Sequence, residues 1–293
     1  MAVPPATYGA SDRPPRGDYS VARDDYTCDQ DWQRYTAAEH ALFARLYQRQ
    51  MRQVPGQACD EFAQALGRLG DGDRIPRFDD VSRVLRAATG WEIVAVPGLI
   101  PERAFFELLA ARRFPVTVWL RRPDEVDYIV EPDVFHDLFG HVPLLFDPVF
   151  ADYMQAFGRG GLKAEGLRSL QFLARLYWYT VEFGLIATGR GLRVYGAGIL
   201  SSAGETVYAL TSPAAQRLGF DLRRVLRTPY RIDEYQRTYF VIDSFEQLFE
   251  ATAPDFTPIY AEVAALPPLP IDVRLEGEKL HPPNPARQEP VPQ

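Results

Sequence analysis

The sequence predicts a mainly α-helical domain with a small β component, an α+β architecture. Three observations carry that expectation. Apolar residues recur at helical spacing in segments from residue 36 to residue 252, several opened by a capping residue or closed by Gly. The stretches rich in β-branched and aromatic residues are short and bounded by Gly, Pro or Asp. No internal repeat and no linker-like run divides the chain between about 20 and 265.

"TAAEHALFARLYQRQM" opens with Thr36 as N-cap and Glu39 three residues on, a capping box, and carries Leu42, Phe43, Leu46 and Tyr47 along one face. "ACDEFAQALGRL" repeats the pattern with Phe62, Leu66 and Leu69, and "DDVSRVLRAATG" stops at Gly90. "WEIVAVPG" reads as a short strand, and "PERAFFELLAARR" as a helix that accepts Pro101 at its start. "FPVTVWLRR" and "VDYIV" flank Pro123-Asp124 as strand, turn and strand. From Glu165 to Thr188, Leu167, Leu170, Leu173, Leu176, Tyr177, Thr180 and Phe183 are spaced as one long buried helix closing at Gly189. "LRVYGAGILSSAGE" reads as a strand entering a Gly-rich turn, and "YFVIDSFEQLFEATA" as a strand followed by a helix.

Residues 1–19, rich in Pro, Gly and Arg, form an expected flexible arm. Residues 20–265 form the expected folded domain, and residues 266–293 a Pro-rich tail. A net charge of −7 over 293 residues, with Lys163 and Lys279 the only lysines, argues against nucleic acid or an anionic membrane as partner. There is no secretory start and no apolar run of membrane-spanning length. Cys28 and Cys59 have no His or second Cys nearby and are expected to be free buried thiols, so the protein is expected in the cytoplasm.

The segment "EPDVFHDLFGHVPLLFD" holds His136 and His141, five positions apart. On an ideal α-helix five residues turn about 500°, leaving the two side chains about 140° apart and unable to share an ion. The regular helix must therefore break between them, and Gly140 with Pro143 supplies the break: Gly as a left-handed cap, Pro by excluding helical geometry before it. Glu182, in "YWYTVEFGL", has few polar neighbours and needs a cation, a proton or hydrogen-bond donors if it is buried. Two His and one carboxylate suit a non-haem iron(II) site with an open face, and equally a zinc hydrolase. Taken singly, each of the three is as readily a hydrogen-bonded structural residue. His40 and His281 lie on a polar helix face and in the tail, away from this pattern.

Together, "EPDVFHDLFGHVPLLFD", "YWYTVEFGL" and "YGAGILSSAGE" resemble the tetrahydropterin-dependent aromatic amino acid hydroxylases, most closely their single-domain bacterial phenylalanine-hydroxylating members. The resemblance spans roughly residues 25 to 250 and includes "YTAAEHALFARLYQRQ" and "IPRFDDVSRVLRAATGWEIVAVPGLIPERAFFELLA". It implies that His136, His141 and Glu182 bind Fe(II), with a tetrahydropterin and dioxygen as co-substrates and phenylalanine as substrate. It also implies that Gly98, Ile100, Phe105 and Ala174 line the pterin. Asp137, a Glu in many relatives, would contact the pterin through water.

By the same resemblance Arg121, with Arg122 as fallback, pairs the substrate carboxylate. Asp133 orients that part of the site, Trp178 and Phe183 wall the substrate ring, Ser201 partners the first histidine, and Glu205 stands behind them. Ile129 replaces a Thr that some relatives place near the substrate. Val241 matches a position where tyrosine-hydroxylating members tend to carry Asp, so phenylalanine is expected in preference to tyrosine, and tryptophan is excluded only by volume. Tyrosine or tryptophan hydroxylation remains the alternative. The short N-terminal region and the Pro-rich end lead to the expectation of a monomer.

Overall fold

The computed structural model describes residues 16–127, 129 and 131–285. Helices α1 (Ala37–Met51), α2 (Asp60–Leu66) and α3 (Phe78–Thr89) come first. The capping box of α1 is formed, with the Thr36 side chain accepting from the Glu39 N–H and Glu39 reaching back to the Thr36 N–H. Helix α3 ends as expected on Gly90, in left-handed backbone with φ +75°. Strand β1 (Glu92–Val96), helix α4 (Glu102–Ala110) and strand β2 (Arg113–Thr117) form a β-α-β unit in which β1 and β2 pair in parallel. After the Pro123–Glu125 turn no second strand follows among residues 126, 127 and 129. The rest of the expected strand "VDYIV" lies outside the described residues.

Helix α5 (Pro148–Gly166) packs along α4, and α6 (Leu170–Tyr177) follows it. The single long helix expected from Glu165 to Thr188 is therefore three elements. Arg168 takes left-handed backbone with φ +52°, and the Ser169 N–H turns back to the Ala164 carbonyl, which separates α5 from α6. Beyond Trp178–Glu182 the chain becomes strand β3 (Leu185–Thr188), which forms a hairpin with β4 (Gly191–Val194). Continuous apolar spacing hid both breaks, because a buried strand and a buried helix show the same run of apolar residues.

The expected Gly-rich turn is two short helices, α7 (Ala197–Leu200) and α8 (Ala203–Thr211). Strand β5 (Gln216–Gly219), helix α9 (Leu222–Arg227), strand β6 (Thr238–Ile242) and helices α10 (Phe245–Thr252) and α11 (Phe256–Ala264) complete the order. The second sheet runs β4-β3-β6-β5, with β6 parallel to both its neighbours. One continuous apolar core joins the two sheets through Trp91, Phe106, Phe139, Tyr195 and Phe240. Among the described residues no helix is long and apolar enough to cross a membrane, and Cys28 and Cys59 are free and buried.

Residues 266–285 do not stand away from the body. The Gly219 N–H donates to the Lys279 carbonyl and the His281 N–H to the Arg217 carbonyl, so the segment covers the open edge of β5. Glu278 accepts from the buried Arg224 guanidinium at 2.7 Å. The Asn284 side chain pairs with both the N–H and the carbonyl of Leu192 in β4. At the other end, the Tyr19 hydroxyl donates to the Leu99 carbonyl at 2.8 Å, and Arg16 pairs with Glu125 at 2.6 Å.

Candidate active site

His136–His141 is wound as a π-helical turn, and so is Trp178–Glu182. The hydrogen bonds that close them run over five residues: Val142 N–H to the Asp137 carbonyl, and Phe183 N–H to the Trp178 carbonyl. Residues five apart on such a winding lie nearly above one another, which brings both imidazoles to one side. The expected interruption is thus a widened turn and not a left-handed cap at Gly140, whose φ is not positive. Gly140 serves close approach instead: a Cβ there would stand 2.9 Å from the Ala197 carbonyl oxygen and 3.0 Å from its Cβ, so α7 could not lie against the turn.

The two π turns and α7 bring three ligand atoms together. His136 Nε2 lies 3.1 Å from His141 Nε2 and 3.6 Å from Glu182 Oε2, and His141 Nε2 lies 3.2 Å from Glu182 Oε1. Bonds of about 2.1 Å to one ion put neighbouring ligand atoms roughly 3.0–3.5 Å apart, so the set fits a single divalent cation. Ser201 Oγ contacts His136 Nδ1 at 2.9 Å, which leaves the Nε2 lone pair for the ion when Nδ1 carries the proton. Burial pushes His136 down to about 4 despite the Glu182 charge, keeping it neutral. Burial also acts on His141 and Glu182, but their mutual attraction outweighs it, raising the imidazole and lowering the carboxyl. A cation bound between them would take over the neutralisation of the Glu182 carboxylate.

These atoms face a cavity of about 690 Å³. Gly98 and Ile100 from the loop after β1, Phe105 from α4, Thr117 from β2 and Tyr177 from α6 contribute to its wall. Arg121, Ile129, Asp137, Trp178, Phe183, Ser201 and Glu205 also line it. Asp137 accepts from the Thr117 N–H at 2.7 Å, and burial pushes its carboxyl up to about 7. Trp178 is stacked on Tyr230 with centroids 4.2 Å apart and lies 4.6 Å from Phe183. Arg121 and Asp133 form a buried two-point ion pair, Nε to Oδ2 at 2.8 Å and Nη2 to Oδ1 at 2.9 Å, while Asp133 also accepts from the His136 N–H. Asp133 uses the side edge of the guanidinium fork, and among the described residues no other carboxylate pairs with Arg121.

Three expected residues lie elsewhere. Ala174 sits half-buried on α6 and does not line the cavity; Tyr177, a turn later, supplies that part of the wall. Arg122 is exposed and leans on Glu125, so it is no substitute for Arg121. Val241 is buried in β6 opposite Leu185 and Gly219, and the aliphatic side chain that faces the cavity from this region is Ile232. Ile232 and Gln236 come from the irregular segment between α9 and β6, which carries no periodic pattern to mark it.

A model of the biopterin-dependent aromatic amino acid hydroxylases matches residues 26–256. The chain belongs to this family. The hydroxylase is 61% identical over 251 residues to a phenylalanine-4-hydroxylase of Ralstonia nicotianae, covering 85% of this chain and 80% of the relative. It is 62% identical over 245 residues to that of Chromobacterium violaceum, covering 83% and 82%. An iron- and phenylalanine-bound crystal structure of the Chromobacterium violaceum enzyme superposes with a TM-score of 0.84 at 58% identity, over 88% of this chain and 94% of that one.

Glu205 gives the hydroxylase a measurable pH dependence. Burial pushes its carboxyl up to about 7, against weaker opposition from hydrogen bonds donated by the Gln236 N–H and the Tyr239 hydroxyl. The folded state therefore holds a proton that the unfolded chain releases near 4.5. This stabilisation is full below about 4.5 and is lost as pH rises through about 7, to a total of up to about 3 kcal/mol. Glu205→Gln retains an acceptor for both bonds and should gain on the parent between pH 5.5 and 8 in denaturant unfolding. Parallel pH curves for the two proteins would contradict the assignment.

Proposed function

We propose that the hydroxylase converts L-phenylalanine to L-tyrosine with Fe(II), dioxygen and a tetrahydropterin, and that His136, His141 and Glu182 hold the iron. The observation that carries this reading is the convergence of the three ligand atoms at a cavity lined by aromatic rings. Similarity to phenylalanine-4-hydroxylases, one of them crystallised with iron and phenylalanine, supports the choice of metal and substrate. When bound, Fe(II) and the reduced pterin supply the electrons that cleave dioxygen and the electrophilic oxygen placed on the ring.

The chain's own part is binding, orientation and exclusion of water. Ser201 would hold His136 in the tautomer that offers Nε2, and a set of three protein ligands would leave a bound ion with open positions. Arg121, braced by Asp133, binds the substrate carboxylate through its Nη1–Nη2 edge. Trp178 and Phe183 flank the substrate ring, while Phe105, Gly98 and Ile100 receive the pterin and Asp137 reaches it through water. Restriction of the aromatic ring to one pose is what directs oxygen to the para carbon.

Turnover of phenylalanine, tyrosine and tryptophan, side by side at equal iron and tetrahydropterin, tests the reading. Phenylalanine should lead tyrosine by about 5- to 150-fold, because burying a phenol hydroxyl without a partner costs about 1–3 kcal/mol. Ile232, and not Val241, supplies the aliphatic wall that imposes this cost. Equal efficiency with tyrosine would overturn the preference, and no hydroxylation of any of the three would overturn the function.

We further propose that residues 20–265 form the catalytic domain and that the protein is a cytoplasmic monomer. Two free buried thiols support the compartment. Lys279 and His281 pair with the chain's own β5 edge, which supports the monomer; a stable tetramer in light scattering would overturn it.

A further inference from the structure

Gln236, buried at the end of the segment between α9 and β6, makes side-chain contacts that none of the preceding roles uses. Its Oε1 accepts from the Trp178 indole Nε1–H at 3.0 Å. Its Nε2 donates to the Arg231 carbonyl at 2.9 Å and the Glu234 carbonyl at 3.4 Å, and its backbone N–H donates to Glu205 Oε1 at 3.1 Å. One residue thus joins the segment 231–236, helix α8 and the π turn that ends in Glu182. Stacking on Tyr230, at an interplanar angle of 12°, fixes the plane of the Trp178 indole but lets it slide within that plane. The bond from Nε1 removes the slide.

We propose that Gln236 is a positioning residue for ring hydroxylation: it sets how far the Trp178 indole projects into the cavity and ties that ring to the segment carrying Ile232. This rests on the reading of the cavity as the site of ring hydroxylation. A ring wall displaced by a fraction of an ångström leaves iron and pterin binding intact but lets the substrate ring sit out of line, so oxidising equivalents are lost to water.

The test uses Gln236→Leu and Trp178→Phe, singly and together, in the full iron-loaded chain, with tyrosine formed and tetrahydropterin consumed both measured. Each single variant should lower kcat/KM for phenylalanine by about 5- to 10-fold and consume more pterin than it forms tyrosine. Iron content and the KM for tetrahydropterin should stay unchanged. The double variant should fall no further than Trp178→Phe alone, because both remove the same bond. Multiplying losses in the double variant would overturn the proposal. If Gln236→Leu does not fold, Trp178→Phe keeps the ring stack and carries the same expectation, and parental coupling in it overturns the proposal. The Trp178 indole N–H resonance, assigned by its loss in Trp178→Phe, should shift and exchange faster in Gln236→Leu. An unchanged resonance overturns the proposal without any turnover, whereas absent hydroxylation in the parent overturns the functional reading and leaves this signal readable.

Discussion

Alanine in place of His136, His141 or Glu182 should remove bound iron and turnover together while the protein stays folded. Each supplies one of the three atoms that lie 3.1–3.6 Å apart, and no fourth His, Cys, Asp or Glu joins the set among the described residues. Two remaining ligands cannot hold a divalent ion against water at the same affinity. Partners that merely orient a ligand are worth about 10- to 100-fold, so Ser201→Ala should fall in that range and the ligand variants well beyond it. The fold should persist, because both π turns are packed into the continuous core through Phe139, Val142, Tyr179 and Val181. Metal analysis, turnover and circular dichroism on the same preparations decide the matter. Full iron content in any of the three alanine variants would remove that residue from the centre.

Breaking the Arg121–Asp133 pair should have the second largest effect, and it should be felt twice. Both side chains are almost wholly enclosed, 4% and 0% exposed, so Asp133→Ala leaves an unpaired guanidinium and Arg121→Met an unpaired carboxylate. Removing one member of a buried pair costs about 3–5 kcal/mol of stability. Burial alone would raise the Asp133 carboxyl, but Arg121 outweighs it and holds the group below 3.8. Its contribution is therefore complete above that value and lost as pH falls below it. Asp133→Asn should blunt acid unfolding accordingly. In catalysis Arg121→Met should weaken phenylalanine far more than tetrahydropterin, by roughly 10- to 150-fold for the loss of a charged contact of about 1.5–3 kcal/mol. An unchanged KM for phenylalanine in a folded Arg121→Met protein would exclude the carboxylate role.

Much of this site could be read before the fold was known. The spacing of His136 and His141 ruled out an ordinary α-helix, and the isolation of Glu182 among apolar neighbours singled it out as a third donor. Resemblance to the family then pointed to Arg121, Asp133 and Ser201, and the structure gathers all three around the ligand atoms. Gln236 and Ile232 escaped notice because an irregular segment has no period. Val241 drew attention through its place in the sequence, but it is buried in β6 and does not line the cavity.

Local signals determined what depends on neighbouring residues: the capped start of α1, the Gly90 stop of α3, the short strands and the donor types of the centre. Tertiary structure decided what depends on contacts between distant segments. A π turn forfeits regular helical bonding and persists only where packing holds it, here between Gly140 and Ala197 and beside α7, about 60 residues further along the chain. The same holds for the segment 266–285, read from its Pro-rich composition as part of a tail, in which Lys279 and His281 find backbone partners on β5. Backbone propensity is a property of a few consecutive residues, whereas the energy that widens a helix or seats a tail comes from surfaces that meet only after folding.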